Sequence, residues 1–231
     1  MTSAAKLALF DLDGTLVDSR QLIHASMDEA FRVCGLGGCE YDHVRKIVGI
    51  ELSQAVRMLL PEDYPEAGAA RVTQTFRESF VRLRGDGTHL ESLYDGALDL
   101  LAHLESEGWL LGVATGKPRR GLDHILDTHD LHGFFVTLHT SCTGPGKPDP
   151  RMVLEAMEAT ETTPDRVAMI GDSTHDIMMA VNAGVRAKGV TWGFHTAEEL
   201  SGAGAHDVFD RFEDLRTGLD RFGSGIGVAA E

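Results

Sequence analysis

The chain contains no uninterrupted apolar run near the roughly 20 residues a helix needs to cross a bilayer. Met1 to Ala5 carries neither a basic region nor a hydrophobic segment, so no secretory signal is expected. Cysteine is scarce: Cys34, Cys39 and Cys142 form no C-x-x-C pair. An odd set of three argues against a disulfide framework or a zinc site and for reduced thiols in a cytoplasmic protein. Histidine does not fill that gap, because His124, His129 and His132 can share a helical face but no Cys or acidic cluster completes a zinc set. A nucleotide-binding P-loop is missing too. "GPGKP" has Ser141 where that loop needs its first glycine and Pro148 where it needs Ser or Thr. Positive charge is also short, with 21 Lys and Arg against 36 Asp and Glu and a formal net charge of −15. Such a chain repels polyanions, so neither nucleic acid nor an anionic membrane is an expected partner. No repeat, low-complexity tract or heptad is present, and the sequence does not indicate an oligomeric state.

What is present reads as alternating strands and helices. Lys6 to Leu12 is a short buried strand. An amphipathic helix runs from Gln21 to about Cys34, stopped by the glycines of Gly35 to Gly38. Helical patches at 42–48, 52–60 and 64–83 follow, the last two separated by Pro61. The pattern then becomes regular. "DGALDLLAHLESEGW" is a helix, "WLLGVAT" a strand ending at Thr115, "RRGLDHILDTHDL" a helix and "FFVTLHT" a strand. A helix over 150–160 precedes the strand "RVAMIGD", which ends at Asp172. The helix "THDIMMAVNAG", the strand "AKGVTWG", a short helix and a strand near Val208 complete the series. This order predicts an α/β fold with a three-layer, Rossmann-like parallel sheet core. About 75 residues of helix after the first strand are too long for an ordinary crossover, which predicts an inserted α-helical cap. The expected division is a core of 1–18 and 93–222, a cap of 19–92 and a tail of 223–231.

Ligands of a parallel sheet collect at the carboxyl ends of its strands. Four polar groups fall there: Asp11-x-Asp13, Thr115-Gly116-Lys117, Lys147 and Asp172. Any one alone is more often a helix cap or a solvated side chain. Together they form a pattern, because Asp11, Asp13 and Asp172 would repel one another without a cation. An all-oxygen donor set suits Mg²⁺. Lys147, the Thr115 hydroxyl and backbone N–H groups near Leu12, Asp13 and Gly116 suit phosphate oxygens. Of two carboxylates two residues apart on an extended chain, facing one way, one can attack phosphorus while the other moves protons.

"FDLDGTLVDS", "VATGKP", "GKPDP" and "GDSTHDI" resemble, in order, the four motifs of the haloacid-dehalogenase-like (HAD) superfamily, over Phe10 to about Ile177. The resemblance implies that Asp11 is the nucleophile and Asp13 the general acid/base. It implies that Thr115 and Lys147 hold the transferring phosphate, beside Leu12, Gly116 and Lys117. Mg²⁺ would be bound at Asp11, Asp13 (through its backbone carbonyl) and Asp172, with Asp176 and Ser173 supporting from behind. The cap would be α-helical and would set specificity; in "RKIVGIELSQ", Arg45 and Gly49 are the candidates for substrate contact. An acid at Asp13 disfavours dehalogenases and phosphonate hydrolases. The wording is most similar to phosphoglycolate phosphatases, whose relatives include pyrophosphatases and nucleotidases, and phosphoglycolate is the leading substrate expectation. Sugar phosphomutases keep both aspartates but commonly have Val at the position of Thr15. A phosphoryl-accepting signalling receiver is the alternative from another class. Gly116 departs from the Asn of many relatives, which predicts altered leaving-group contacts.

Overall fold

The structure is a computed structural model, and it describes residues 5–87, 89–142 and 144–225. Its centre is a six-stranded parallel sheet. In chain order the large-sheet strands are β1 (Lys6–Phe10), β4 (Trp109–Thr115), β5 (Phe135–Thr140), β6 (Val167–Gly171), β7 (Arg186–Val190) and β8 (Asp207–Phe209), with β2 (Val17–Asp18) and β3 (Ser92–Leu93) forming a separate two-stranded ribbon. The spatial order is β5-β4-β1-β6-β7-β8, so β1 lies between β4 and β6, with Phe10 in register with Val113 and Ile170. Helices α5 (Ala97–Ser106), α6 (Arg119–Thr128), α7 (Arg151–Thr160), α8 (Thr174–Asn182) and α9 (Ala197–Gly202) lie between successive strands, and α10 (Phe212–Gly223) follows β8.

Side chains of β1 alternate between two apolar layers, as the pleat requires. Ala8 and Phe10 join Leu101, Leu122 and Leu215 on one face, whereas Leu7 and Leu9 join Val153, Ile177 and Leu200 on the other. A strand covered on both faces carries apolar residues throughout, which is why "LALF" reads as continuous rather than alternating.

Between β2 and β3 the chain forms α1 (Arg20–Val33), α2 (Tyr41–Val44), α3 (Leu52–Leu59) and α4 (Glu66–Gly85). These helices share an apolar cluster of their own, with Met27, Val44, Val56 and Val72 at its centre and Phe194 reaching in from the loop after β7. The outgoing and returning strands pair antiparallel, Val17 with Leu93 and Asp18 with Ser92. No helix among the described residues is long and apolar enough to cross a membrane.

Several boundaries differ from the sequence expectation. β1 stops at Phe10 rather than Leu12, because the Leu12 carbonyl accepts from Leu16 and Val17 (3.0 and 2.9 Å) and closes a turn through Gly14, at φ +89°. The patch at 42–48 is not one helix: α2 ends at Val44 and a 3₁₀ turn covers Arg45–Ile47. Helix α10 follows β8, where no element is expected from the sequence before the tail. Phe212, Leu215, Leu219 and Phe222 lie at helical spacing and pack on the sheet. Gly223 closes that helix; of the expected tail, 226–231 lies outside the described residues.

Candidate active site

Four loops leave the carboxyl ends of β1, β4, β5 and β6 side by side. Asp11 is tethered by its own N–H to the Ile170 carbonyl at 2.9 Å, so it leaves the sheet at a fixed height. The turn that follows brings Thr15 across to β6, where its hydroxyl donates to Asp172 Oδ1 at 2.8 Å. Phe194 N–H donates to Asp172 Oδ2, also at 2.8 Å. Asp176 and Ser173 form a reciprocal cap at the start of α8: Ser173 Oγ and N–H donate to Asp176 Oδ2 at 2.6 and 3.1 Å. Gly171 allows this close return, since a Cβ there would overlap the Asp176 side chain.

The ionic pattern is uneven. Lys147 Nζ lies 2.7 Å from Asp11 Oδ1 and 2.5 Å from Asp176 Oδ1, and all three side chains are buried. Asp11, Asp172 and Asp176 each offer an oxygen within 4.8 Å of the others. One ammonium faces three carboxylates, so negative charge is in excess. Burial pushes the Asp11 carboxyl up to about 7 against the pull of Lys147, with the charges of Asp176 and Asp13 adding to the rise. Burial, then Asp176 and Asp11, drive Asp172 well above the usual carboxylate range, opposed by Phe194 N–H and Thr15. Burial works against the Lys147 ammonium, but Asp11 and Asp176 hold it charged to unusually high pH. Buried oxygens this close, with no nitrogen or sulfur donor among them, fit a hard divalent cation.

The Asp13 carboxylate stands outside that group. Lys117 Nζ donates to both of its oxygens, at 2.8 and 3.0 Å, and to Glu91 Oε1 at 2.9 Å. Two carboxylates of one turn therefore have different ammonium partners. Thr115 is buried at the end of β4, its Oγ1 accepting from Lys117 N–H at 3.2 Å. Leu12 turns its side chain into the core.

Gly49 and Gly116 meet backbone to backbone. A Cβ on Gly116 would overlap the Gly49 carbonyl oxygen, and one on Gly49, at φ +98°, would stand 3.1 Å from Ser173 Oγ. The loop from the 3₁₀ turn to α3 thus lies directly over the carboxyl ends of β4 and β6. Arg45, an expected substrate contact, has its guanidinium in a two-pronged pair with Glu199 (2.8 and 3.0 Å) and bonded to Asp42 at 2.7 Å and the Phe194 carbonyl at 3.3 Å. That pair holds Glu199 down to about 2, with Arg45 as the leading cause. His195 fastens the same turn, with Nδ1 accepting from Thr174 N–H at 3.1 Å and Nε2 at 3.1 Å from the Arg45 carbonyl. Sequence reasoning missed both Glu91 and His195. Each is a lone residue in an irregular stretch, and only folding supplies its partners.

Comparison with known proteins agrees with this geometry. The family described as haloacid dehalogenase-like hydrolase matches residues 8–190. A probable phosphatase, IndB, from Dickeya dadantii is 32% identical over 213 residues, covering 90% of this chain and 91% of its own. A phosphoglycolate phosphatase from Vibrio cholerae is also 32% identical over 213 residues, covering 89% and 92%. Among solved structures, a predicted phosphatase from Clostridium acetobutylicum superposes with a TM-score of 0.83 at 28% identity, over 95% of this chain and all of that one. Because the family match runs through every one of the four strand-end loops, the chain belongs to the haloacid dehalogenase-like hydrolases.

Proposed function

We propose that this chain is a Mg²⁺-dependent phosphatase that hydrolyses a small phosphomonoester through an aspartyl phosphate on Asp11. The observation that carries the reading is the separation of Asp11 from Asp13: one is paired with Lys147 inside the acidic group, the other with Lys117 outside it. Asp11 is the nucleophile. Its carboxylate oxygen forms a bond to phosphorus as the ester P–O bond breaks, and Asp13 delivers a proton to the departing alkoxide. Asp13 then takes a proton from water, whose oxygen attacks phosphorus, releasing phosphate and restoring Asp11. Thr115 and Lys147 hold phosphate oxygens, aided by backbone N–H groups near Leu12, Gly116 and Lys117. Asp11, Asp172 and the Asp13 carbonyl would hold Mg²⁺, with Asp176 and Ser173 fixing Lys147 and the α8 terminus behind them. The ion supplies charge neutralisation for a site otherwise too negative to admit a phosphate.

Residues 19–92 act as an α-helical cap on a core of 1–18 and 93–222. Their separate apolar cluster and the β2–β3 ribbon where the chain crosses twice support that division. Cap closure excludes water and large esters from the site. Relatives named phosphoglycolate phosphatase support a small metabolite as substrate. Three free cysteines suit the cytoplasm.

A panel of phosphomonoesters with and without Mg²⁺ tests the reading. Phosphate released over many turnovers, abolished by a chelator, is the expected result. A single stoichiometric burst would identify a receiver, and isomer exchange faster than phosphate release would identify a mutase.

The metal assignment has its own test. Unfolded, Asp11 and Asp172 ionise near 4. Folded without a cation, Asp11 retains its proton to about 7 and Asp172 is also raised. The metal-free fold therefore binds more protons than the unfolded chain between about pH 4 and 7, and its stability falls as pH rises through that window. A bound cation favours the ionised forms, so Mg²⁺ raises the melting temperature more at about pH 8 than at about pH 5. Equal shifts at both pH values would remove the acidic cluster as the metal site.

A further inference from the structure

Glu91 is buried, charged and assigned no part in the steps above. It lies just ahead of β3, where the chain returns from α4 to the sheet, with a side chain 3% exposed. Its carbonyl accepts from His129 Nε2–H at 2.7 Å, which ties its backbone to the end of α6. Its Oε2 is 3.6 Å from an Arg84 nitrogen on α4, and its Oε1 accepts from Lys117 Nζ at 2.9 Å. Among the described residues that ammonium also meets the two oxygens of Asp13, at 2.8 and 3.0 Å, and the Phe80 ring, whose centre is 5.2 Å away. An ammonium has three N–H donors, and here all three are directed: two to Asp13 and one to Glu91. The Lys117 stem is confined as well, since a Cβ on Gly121 would stand 2.8 Å from its Cγ.

A buried Glu–Lys pair is a poor stabilising device, because desolvation consumes most of the Coulombic gain and a hydrocarbon pair of equal volume does as well or better. Its physical return is orientation. With Glu91 in place, Lys117 has one position and Asp13 has one carboxylate plane; without it, the ammonium is free to pivot and the plane is no longer fixed.

We propose that Glu91 is a positioning residue for proton transfer, acting through Lys117 to fix the orientation of the Asp13 carboxylate. The proposal rests on the acid role of Asp13 given above. It also ties that orientation to the placement of the helical segment, because Arg84 and Phe80 belong to α4 and Glu91 stands directly before β3 of the ribbon.

The test exploits leaving groups. kcat/KM reports the steps up to departure of the alcohol, and departure of an alkoxide needs a proton whereas departure of p-nitrophenolate does not. Let the measured quantity be kcat/KM for glycerol 1-phosphate divided by kcat/KM for p-nitrophenyl phosphate, in the Mg²⁺-loaded enzyme. Glu91→Leu lowers this ratio about tenfold, part of the 10²–10⁴ a full general acid contributes. Glu91→Gln, which keeps an acceptor for Lys117, retains most of it. A Glu91→Leu variant that slows both esters by the same factor, or neither, overturns the proposal. Should Glu91→Leu fail to melt cooperatively, Glu91→Gln and Lys117→Gln are compared instead: a ratio lowered in Lys117→Gln and lowered to a smaller, measurable extent in Glu91→Gln supports the proposal, and an unchanged ratio in either overturns it. Asp13→Asn is the control. If its own ratio does not fall, the acid role of Asp13 fails; if it falls and that of the Glu91 variants does not, only the role of Glu91 fails.

Discussion

Asp11→Asn yields a folded protein whose phosphate release is lower by at least about a thousandfold. The amide has the same shape as the carboxylate but offers no anionic oxygen to phosphorus, and among the described residues no other carboxylate occupies its place: Asp172 is held by Thr15 and Phe194, and Asp176 caps α8. The fold does not depend on the Asp11 charge. Its backbone N–H still bonds the Ile170 carbonyl, and Lys147 keeps Asp176 as a partner. Removing one of three crowded carboxylates leaves the metal-free melting temperature unchanged or higher. Steady-state release beside a thermal melt checks both halves. Residual turnover above about 1% of the parent rate would assign the nucleophile elsewhere.

Lys147→Met is expected to damage fold and activity together. The ammonium is completely buried and is the ion-pair partner of Asp11 and Asp176 within the cluster. Truncating one member of a buried ion pair typically costs about 3–5 kcal/mol, because the other member keeps its desolvation penalty without compensation. Here two carboxylates are left. Burial already pushes the Asp11 carboxyl up to about 7 with Lys147 present, so without it the carboxyl holds its proton to still higher pH, and the stability lost relative to the unfolded chain, where it ionises at about 4, grows as pH rises. Urea unfolding of the metal-free variant checks the size. A companion measurement checks the cause: Asp11→Asn added to Lys147→Met recovers part of the loss, a non-additivity expected only of groups in contact. A cost below about 1 kcal/mol, or strict additivity, would show that the ammonium does not hold this cluster together.

The elements that were legible in the sequence are those whose signal is local. "LALF" and "VAMIG" are short apolar runs bounded by turn residues, and the polar residue after each stands where a parallel sheet exposes it, so Asp11 and Asp172 could be placed by reading along the chain. The Ser173–Asp176 cap has a local spacing too, yet both residues are singled out only through the family resemblance, and their reciprocal bonds emerge from the structure. Arg45 gives no such cue. Its partner Glu199 is 154 residues away, and a cation in a glycine-containing loop looks the same whether it faces a substrate or a carboxylate of its own fold. Glu91 fails for the same reason, 26 residues from Lys117 and inside no periodic pattern. The β2–β3 ribbon is two residues on each side, too short for a period-2 alternation to appear. Long-range ionic pairing and very short strands are settled by packing, and packing is not written in any single window of sequence.

The abutting glycines at 49 and 116 bear on how this enzyme can be re-engineered. With no side chain on either residue, trimming cannot bring the loop at Gly49 any nearer to the end of β4. Enlarging Gly116 drives a carbon onto the Gly49 carbonyl and must push the two loops apart, whereas enlarging Gly49 strains its positive φ and crowds Ser173. A chimera that imports a bulkier residue at position 116 must therefore import the facing loop with it, or accept a displaced backbone at this crossing.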